Sequence, residues 1–198
     1  MTPSRITSSK WILVAAAVWL LAIGGGYSWI MARSFQASEL GENPVLDLKT
    51  VHMLDVEKPT LFVFLHPECP CSEATVEELA RISERCEGEL KIFGIFSDYP
   101  TLPQPAGRSR LWNKLESILG ARSLLDEDAH LRHSFHAATS GECFLLDTDG
   151  HVIYHGGITS SRGHSGPSIG GDAIISFFNA GNISTVTAPV FGCTLDND

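Results

Sequence analysis

Thr60-Leu61-Phe62-Val63-Phe64-Leu65 runs directly into His66-Pro67-Glu68-Cys69-Pro70-Cys71-Ser72. The first six residues are continuously apolar and β-prone, which suits a short strand buried on both faces. Beyond the cysteines, Val76, Leu79, Ile82 and Cys86 recur at helical spacing, and Glu73, Glu77 and Glu78 place acids in the early turns. Acids there complement the positive end of a helix. Two cysteines thus fall where a buried strand hands over to a helix. At such a position the aligned peptide dipoles and free N–H groups favour a thiolate.

Outward from this junction the pattern alternates. Leu90 to Phe96 predicts a second strand, and Leu111, Leu115 and Ile118 mark a second helix. Asp126 to His136 predicts a third helix with Leu131 and Phe135 facing inward. Cys143–Asp147 and His151–His155 flank Thr148-Asp149-Gly150, and an Asp-Gly between apolar strands predicts a hairpin. A last helix is expected near Asp172 to Asn179. The expected order is β-α-β-α-α-β-β-α, an α/β domain with a late hairpin.

The N-terminal side is different in kind. Trp11 to Met31 carries no charge, and seventeen of its twenty-one residues are apolar. As a helix it would span roughly 30 Å, one hydrocarbon core. Trp11 and Trp29 stand near its ends, where headgroups lie. Arg5 and Lys10 precede it, so the positive-inside rule predicts a cytoplasmic N-terminus and an exported remainder, periplasmic in a Gram-negative cell. The competing reading, a cleaved signal peptide, expects a shorter apolar run and a small-residue cleavage site. The expected organisation is a cytoplasmic segment 1–10, a membrane anchor 11–31 in the lipid bilayer, a tether 32–45, a domain 46–180 and a C-terminal tail 181–198. The overall charge of −9 conceals +2 ahead of the anchor and −11 beyond it. An acidic exported part excludes a nucleic-acid partner, which would require a basic face.

Five cysteines in 198 residues leave at least one unpaired within the chain. Cys69 is the expected nucleophile and Cys71 its resolving partner. A bond between them would be strained. Residues i and i+2 of a helix point apart, and Pro70 fixes the φ between them. Strained disulfides are the more oxidising ones. Alternatively Cys193, in Pro189-Val190-Phe191-Gly192-Cys193, folds back to join the site. Cys86 and Cys143 fit core positions. His66 precedes Cys69 by three residues and either supports a thiolate or, with Cys69 and Cys71, ligates copper or zinc. His155 or His164 would be further donors, and Arg162 or His164 would approach Cys69 from the loop 156–166. Peroxide reduction is disfavoured, because no threonine directly precedes Cys69.

A strand ending in a cysteine pair at a helix start, followed by β-α and a terminal hairpin and helix, resembles the thioredoxin-like superfamily. The pattern Leu61–Cys71, Asp126…Phe135 and Phe144–Gly150 resembles its membrane-tethered TlpA- and ResA-type thiol–disulfide proteins. His66-Pro67-x-Cys69-Pro70-Cys71, with Gly157-Ile158-Thr159, Arg162-Gly163-His164 and Phe191-Gly192-Cys193, resembles the RedB-type group. The resemblance implies a central mixed sheet flanked by helices and a thiol–disulfide oxidoreductase that exchanges disulfides with exported protein thiols and uses no cofactor. The superfamily's usual pair is Cys-x-x-Cys, whereas one residue separates Cys69 from Cys71. Its usual cis-proline aligns with Gly141.

Overall fold

The computed structural model describes residues 5–41, 58–97, 99 and 105–195, in two compact units meeting near residue 35. The first unit is a single helix, α1 (Arg5–Ser34), whose segment Lys10–Ser34 has a mean hydropathy of 1.7 and the length to cross a membrane. Residues 46–57 of the expected domain lie outside the described residues.

The second unit is built on a six-stranded mixed sheet: β1 (Thr60–Leu65), β2 (Lys91–Ser97), β3 (Ala121–Asp126), β4 (Glu142–Leu146), β5 (Val152–Gly157) and β6 (Thr187–Ala188). The order across the sheet is β3-β2-β1-β4-β5-β6. β1 runs parallel to β2 and antiparallel to β4, and β4–β5 is the expected hairpin. Among the described residues of this unit, four regular helices flank the sheet, α2 (Pro70–Arg85), α3 (Arg110–Glu116), α4 (His130–Phe135) and α5 (Ile169–Ala180), together with two short 3-10 turns. This is the expected central mixed sheet flanked by helices.

The period of two along β1 divides the core. Leu61, Val63 and Leu65 point to one face, where Val76, Leu79 and Ile82 of α2, Leu115 of α3 and Ile174 of α5 pack. Phe62 and Phe64 point to the other, against Phe93, Phe135 and Phe144. On that face Phe144 lies edge-on to Phe64 and Phe135 and stacks on His155 at 4.1 Å. The segment 181–198 contributes β6, and its Val190 and Leu195 are buried.

Two elements differ from expectation. Residues 121–126 form β3, a parallel edge strand that the sequence pattern did not mark, and the expected helix 126–136 is shortened to 130–135. Both differences have one cause. β3 lies at the sheet edge, half exposed along Ala121–Leu125, so it lacks the apolar run of a central strand. Asp126 ends that strand, and its carboxylate accepts hydrogen bonds from the N–H groups of Leu131 and Arg132, 2.8 Å each, at the start of α4. An acid at a helix start reads alike whether it is inside the helix or capping it from the strand before.

Removing the ring at the centre of the aromatic face tests this packing. Phe144→Ala should destabilise the domain by about 3–5 kcal/mol, measured by chemical denaturation.

Candidate functional site

Cys69 is the N-cap of α2, with an extended backbone (φ −87°, ψ 125°), and Pro70 supplies the first helical residue without needing a hydrogen-bond partner. The turn is tied back to the strand: the Cys69 N–H donates to the His66 carbonyl, and the His66 N–H donates to Ser72 Oγ, 2.9 Å. Cys71 follows in the first turn of α2. Both cysteines are nearly covered, at 7% and 6% exposure, whereas Cys193 is exposed.

The tail brings Cys193 to the same place. Its Sγ lies 3.3 Å from Cys69 Sγ, and the sulfurs of Cys69, Cys71 and Cys193 all lie within 4.8 Å of one another. Ser140 stitches the tail to the site. Its Oγ contacts Cys69 Sγ at 3.4 Å and accepts from the Cys193 N–H at 2.9 Å, while its own N–H donates to the Cys193 carbonyl at 2.8 Å. On the outer side, Arg162 donates to the Gly192 carbonyl and to Ser38 Oγ. Ser38 Oγ in turn donates to the same Gly192 carbonyl.

Gly141 follows Ser140 in a left-handed conformation (φ +86°), and a Cβ there would stand 2.7 Å from Thr75 Oγ1. Its N–H donates to the Phe64 carbonyl at 2.7 Å. Conformation and space both call for glycine, which lets this loop lie against α2. Glu142, fully buried, fixes the loop from behind. One carboxylate oxygen accepts from the Gly41 N–H and lies 2.6 Å from His155 Nε2. The other accepts from the N–H groups of Ala138 and Thr139. A carboxylate only accepts, so His155 carries its proton on Nε2.

The electrostatics separate the three thiols. Hydrogen bonding from Cys71 is the largest influence on Cys69. With further donors in Ser140, the Ser72 N–H and Cys193, it outweighs burial and lowers Cys69 to about 4. Cys71 is pushed up first by its hydrogen bond to Cys69, then by burial and by the Cys69 charge. Cys193 is also raised, first by burial and then by its contact with Cys69, while the Arg162 charge pulls the other way. Cys86, raised to about 11, and Cys143, raised well above the usual thiol range, are displaced chiefly by burial. Both are inert core thiols by that criterion.

His66 does not join the sulfur cluster. Its Nδ1 accepts from the Glu68 N–H at 3.2 Å, and its ring lies 4.5 Å from that of Tyr99. His155 is occupied with Glu142, and His164 Nδ1 donates to the Arg162 carbonyl. Ser140 and the buried Glu142–His155 pair escaped sequence reasoning. The alignment of Gly141 with the superfamily's proline pointed at their loop, but glycine itself carries no chemistry.

No protein-family model and no curated protein sequence matches the chain. Among solved structures, it is similar to a hypothetical protein of Sinorhizobium meliloti over 83% of this chain and 98% of that one, at 18% identity and a TM-score of 0.58. An uncharacterized conserved protein of Geobacillus kaustophilus is similar over 83% of this chain and 92% of its own, at 20% identity and a TM-score of 0.61. A thioredoxin-like protein solved in its oxidized form aligns over 76% and 97% respectively, at 18% identity and a TM-score of 0.46. For the first two, at these identities, the similarity is one of fold.

The pH dependence of the reduced chain follows from Cys69. A folded-state pKa below the unfolded one contributes stability that is fully present above ~8.5. That stability is lost as the pH falls through about 4. Cys71 and Cys193 shift oppositely, so their share is lost as the pH rises past ~8.5. Thiolate absorbance at short ultraviolet wavelength, taken as the difference between wild type and Cys69→Ser, should titrate with a midpoint near 4. Ser140→Ala should move that midpoint upward.

Proposed function

We propose that the protein is a membrane-anchored thiol–disulfide oxidoreductase. Its domain faces the exported side and exchanges disulfides with exported protein thiols, with Cys69 as the reactive thiolate. The observation that carries this reading is the convergence of three sulfurs on one helix N-terminus, with donors arranged to hold charge on one of them. Thiol–disulfide exchange requires a thiolate, a second sulfur within bonding reach and no cofactor. Core cysteines meet neither requirement, and Cys86 and Cys143 show what plain burial looks like in the same chain.

The apolar run Trp11–Met31 of α1, with Arg5 and Lys10 on its N-terminal side, supports an anchor with its N-terminus in the cytoplasm. The short motifs at His66–Cys71, Gly157–His164 and Phe191–Cys193 support a RedB-type relationship within the superfamily. Stabilising the Cys69 thiolate stabilises the reduced form, which makes the disulfide form oxidising. The difficulty of bonding Cys69 to Cys71 across a single proline acts in the same direction.

The three sulfurs also support a second reading. Thiolates at this spacing suit a soft ion such as copper(I), or zinc. The ligand set would then be Cys69, Cys71 and Cys193, with His66 outside it.

A redox titration of the chain in detergent separates the readings. A reversible two-electron couple, absent in Cys69→Ser, is expected, with a potential nearer ~−120 mV than ~−270 mV. A stoichiometric copper(I) or zinc ion that blocks thiol alkylation, is lost in Cys193→Ser and survives in His66→Ala would favour the metal site instead.

A further inference from the structure

We propose that Cys193, not Cys69, is the sulfur that joins the partner in the mixed disulfide, and that Cys69 acts behind it as the leaving and returning thiolate. The inference rests on the oxidoreductase reading above and assigns the contact point within it.

Access is the first ground. Of the three clustered sulfurs, the two on α2 belong to nearly covered residues, and only Cys193 belongs to an exposed one. The second ground is reach. Cys193 and Cys69 are 124 positions apart in the chain, yet their sulfurs are already 3.3 Å apart. Ser140 holds the two cysteines in register, bonded to the Cys193 backbone at both its N–H and its carbonyl. This pair also avoids the geometric difficulty of bonding residues i and i+2 across a proline.

The third ground is the room around each sulfur. A cavity of about 330 Å³ opens on Cys193, bounded by Ser38, Glu39, Thr139, Arg162 and Gly192. The cavity that reaches Cys69 is about 130 Å³, between Pro67, Pro70 and Leu111. A cysteine carried on a peptide segment fits the larger. The Arg162 guanidinium lines that cavity and attracts an approaching anion. An approaching partner thiolate therefore meets Cys193 first.

The exchange balances. Starting from a Cys69–Cys193 disulfide, a partner thiolate donates its electron pair to Cys193 Sγ. The protein's S–S bond breaks, and its pair leaves on Cys69 Sγ. That charge arrives among donors already in place on Cys71, Ser140 and the Ser72 N–H. A thiol of lower pKa leaves faster. The partner's second sulfur then attacks the partner sulfur of the mixed disulfide. The Cys193 sulfur departs and takes up the proton that this second thiol gives up. The protein disulfide has gained two electrons, and the partner dithiol has become a disulfide. Run backward, a partner disulfide recharges the Cys69–Cys193 bond.

The test uses the full chain in detergent micelles. After oxidation in a glutathione buffer, it is mixed with a peptide bearing a single cysteine, acid-quenched at once and mapped by mass spectrometry without reduction. The expected adduct is on Cys193, with Cys69 open to alkylation. A first-formed adduct on Cys69 overturns the inference and leaves the oxidoreductase reading standing. Failure to form any reversible disulfide overturns both. Cys193→Ser, whose side chain is outside the core, should slow oxidation of a two-cysteine peptide by roughly 100-fold or more, the scale of a lost positioned reactant. Its thermal unfolding should match that of wild type. A wild-type oxidation rate in this variant would overturn the inference.

Discussion

A sulfur anion can sit under the surface of a protein only if donors replace the water it loses. At Cys69 they come from four directions. Cys71 is in the same helical turn, the Ser72 N–H is at the helix start, Ser140 is on the loop before β4, and Cys193 is on the tail. Together they outweigh the burial that would otherwise keep the thiol protonated. Remove that set and Cys69 becomes another buried cysteine like Cys143, whose thiol is held in its neutral form.

The rest of the domain works to bring those donors to one point. β1 is central in the sheet and delivers the chain to the start of α2, while β4, its antiparallel neighbour, delivers Ser140 and Gly141 from the other side. Gly141 allows the close approach to α2. The buried Glu142–His155 pair holds the loop by the N–H groups of Ala138 and Thr139 and takes a third from Gly41, an arrangement that tolerates little change, since losing either partner strands the other. The tail beyond β6 closes the site. Ser38 and Arg162 grip the carbonyl of Gly192, so the position of Cys193 is linked to the chain segment that follows α1.

Much of this was legible in the sequence because it is local. The strand Thr60–Leu65, the cysteines at a helix start, the Asp-Gly hairpin and the apolar N-terminal helix each announce themselves within a dozen residues. What stayed hidden depends on long-range pairing. β3 is an edge strand with a mixed surface, and its sequence does not distinguish it from a loop entering a helix. Ser140 is one serine among many until the sheet sets it against Cys69. Cys193 could be named as a candidate third member, but its contact with a residue 124 positions away is a property of the tail's path around β5 and β6. His66 shows the converse. Its spacing from Cys69 suggested a ligand, and the local turn instead engages its ring with the Glu68 N–H and Tyr99.

The central claim is that Cys69 and Cys193 form one redox couple around a shared thiolate. It is tested most directly by following the cysteine Cβ chemical shifts of the isotopically labelled chain through a glutathione titration. The account predicts that the Cys69 and Cys193 signals move to the disulfide range together, at one midpoint, while Cys86 and Cys143 stay in the thiol range. A Cys193 signal that remains in the thiol range while Cys69 and Cys71 become oxidised would contradict it.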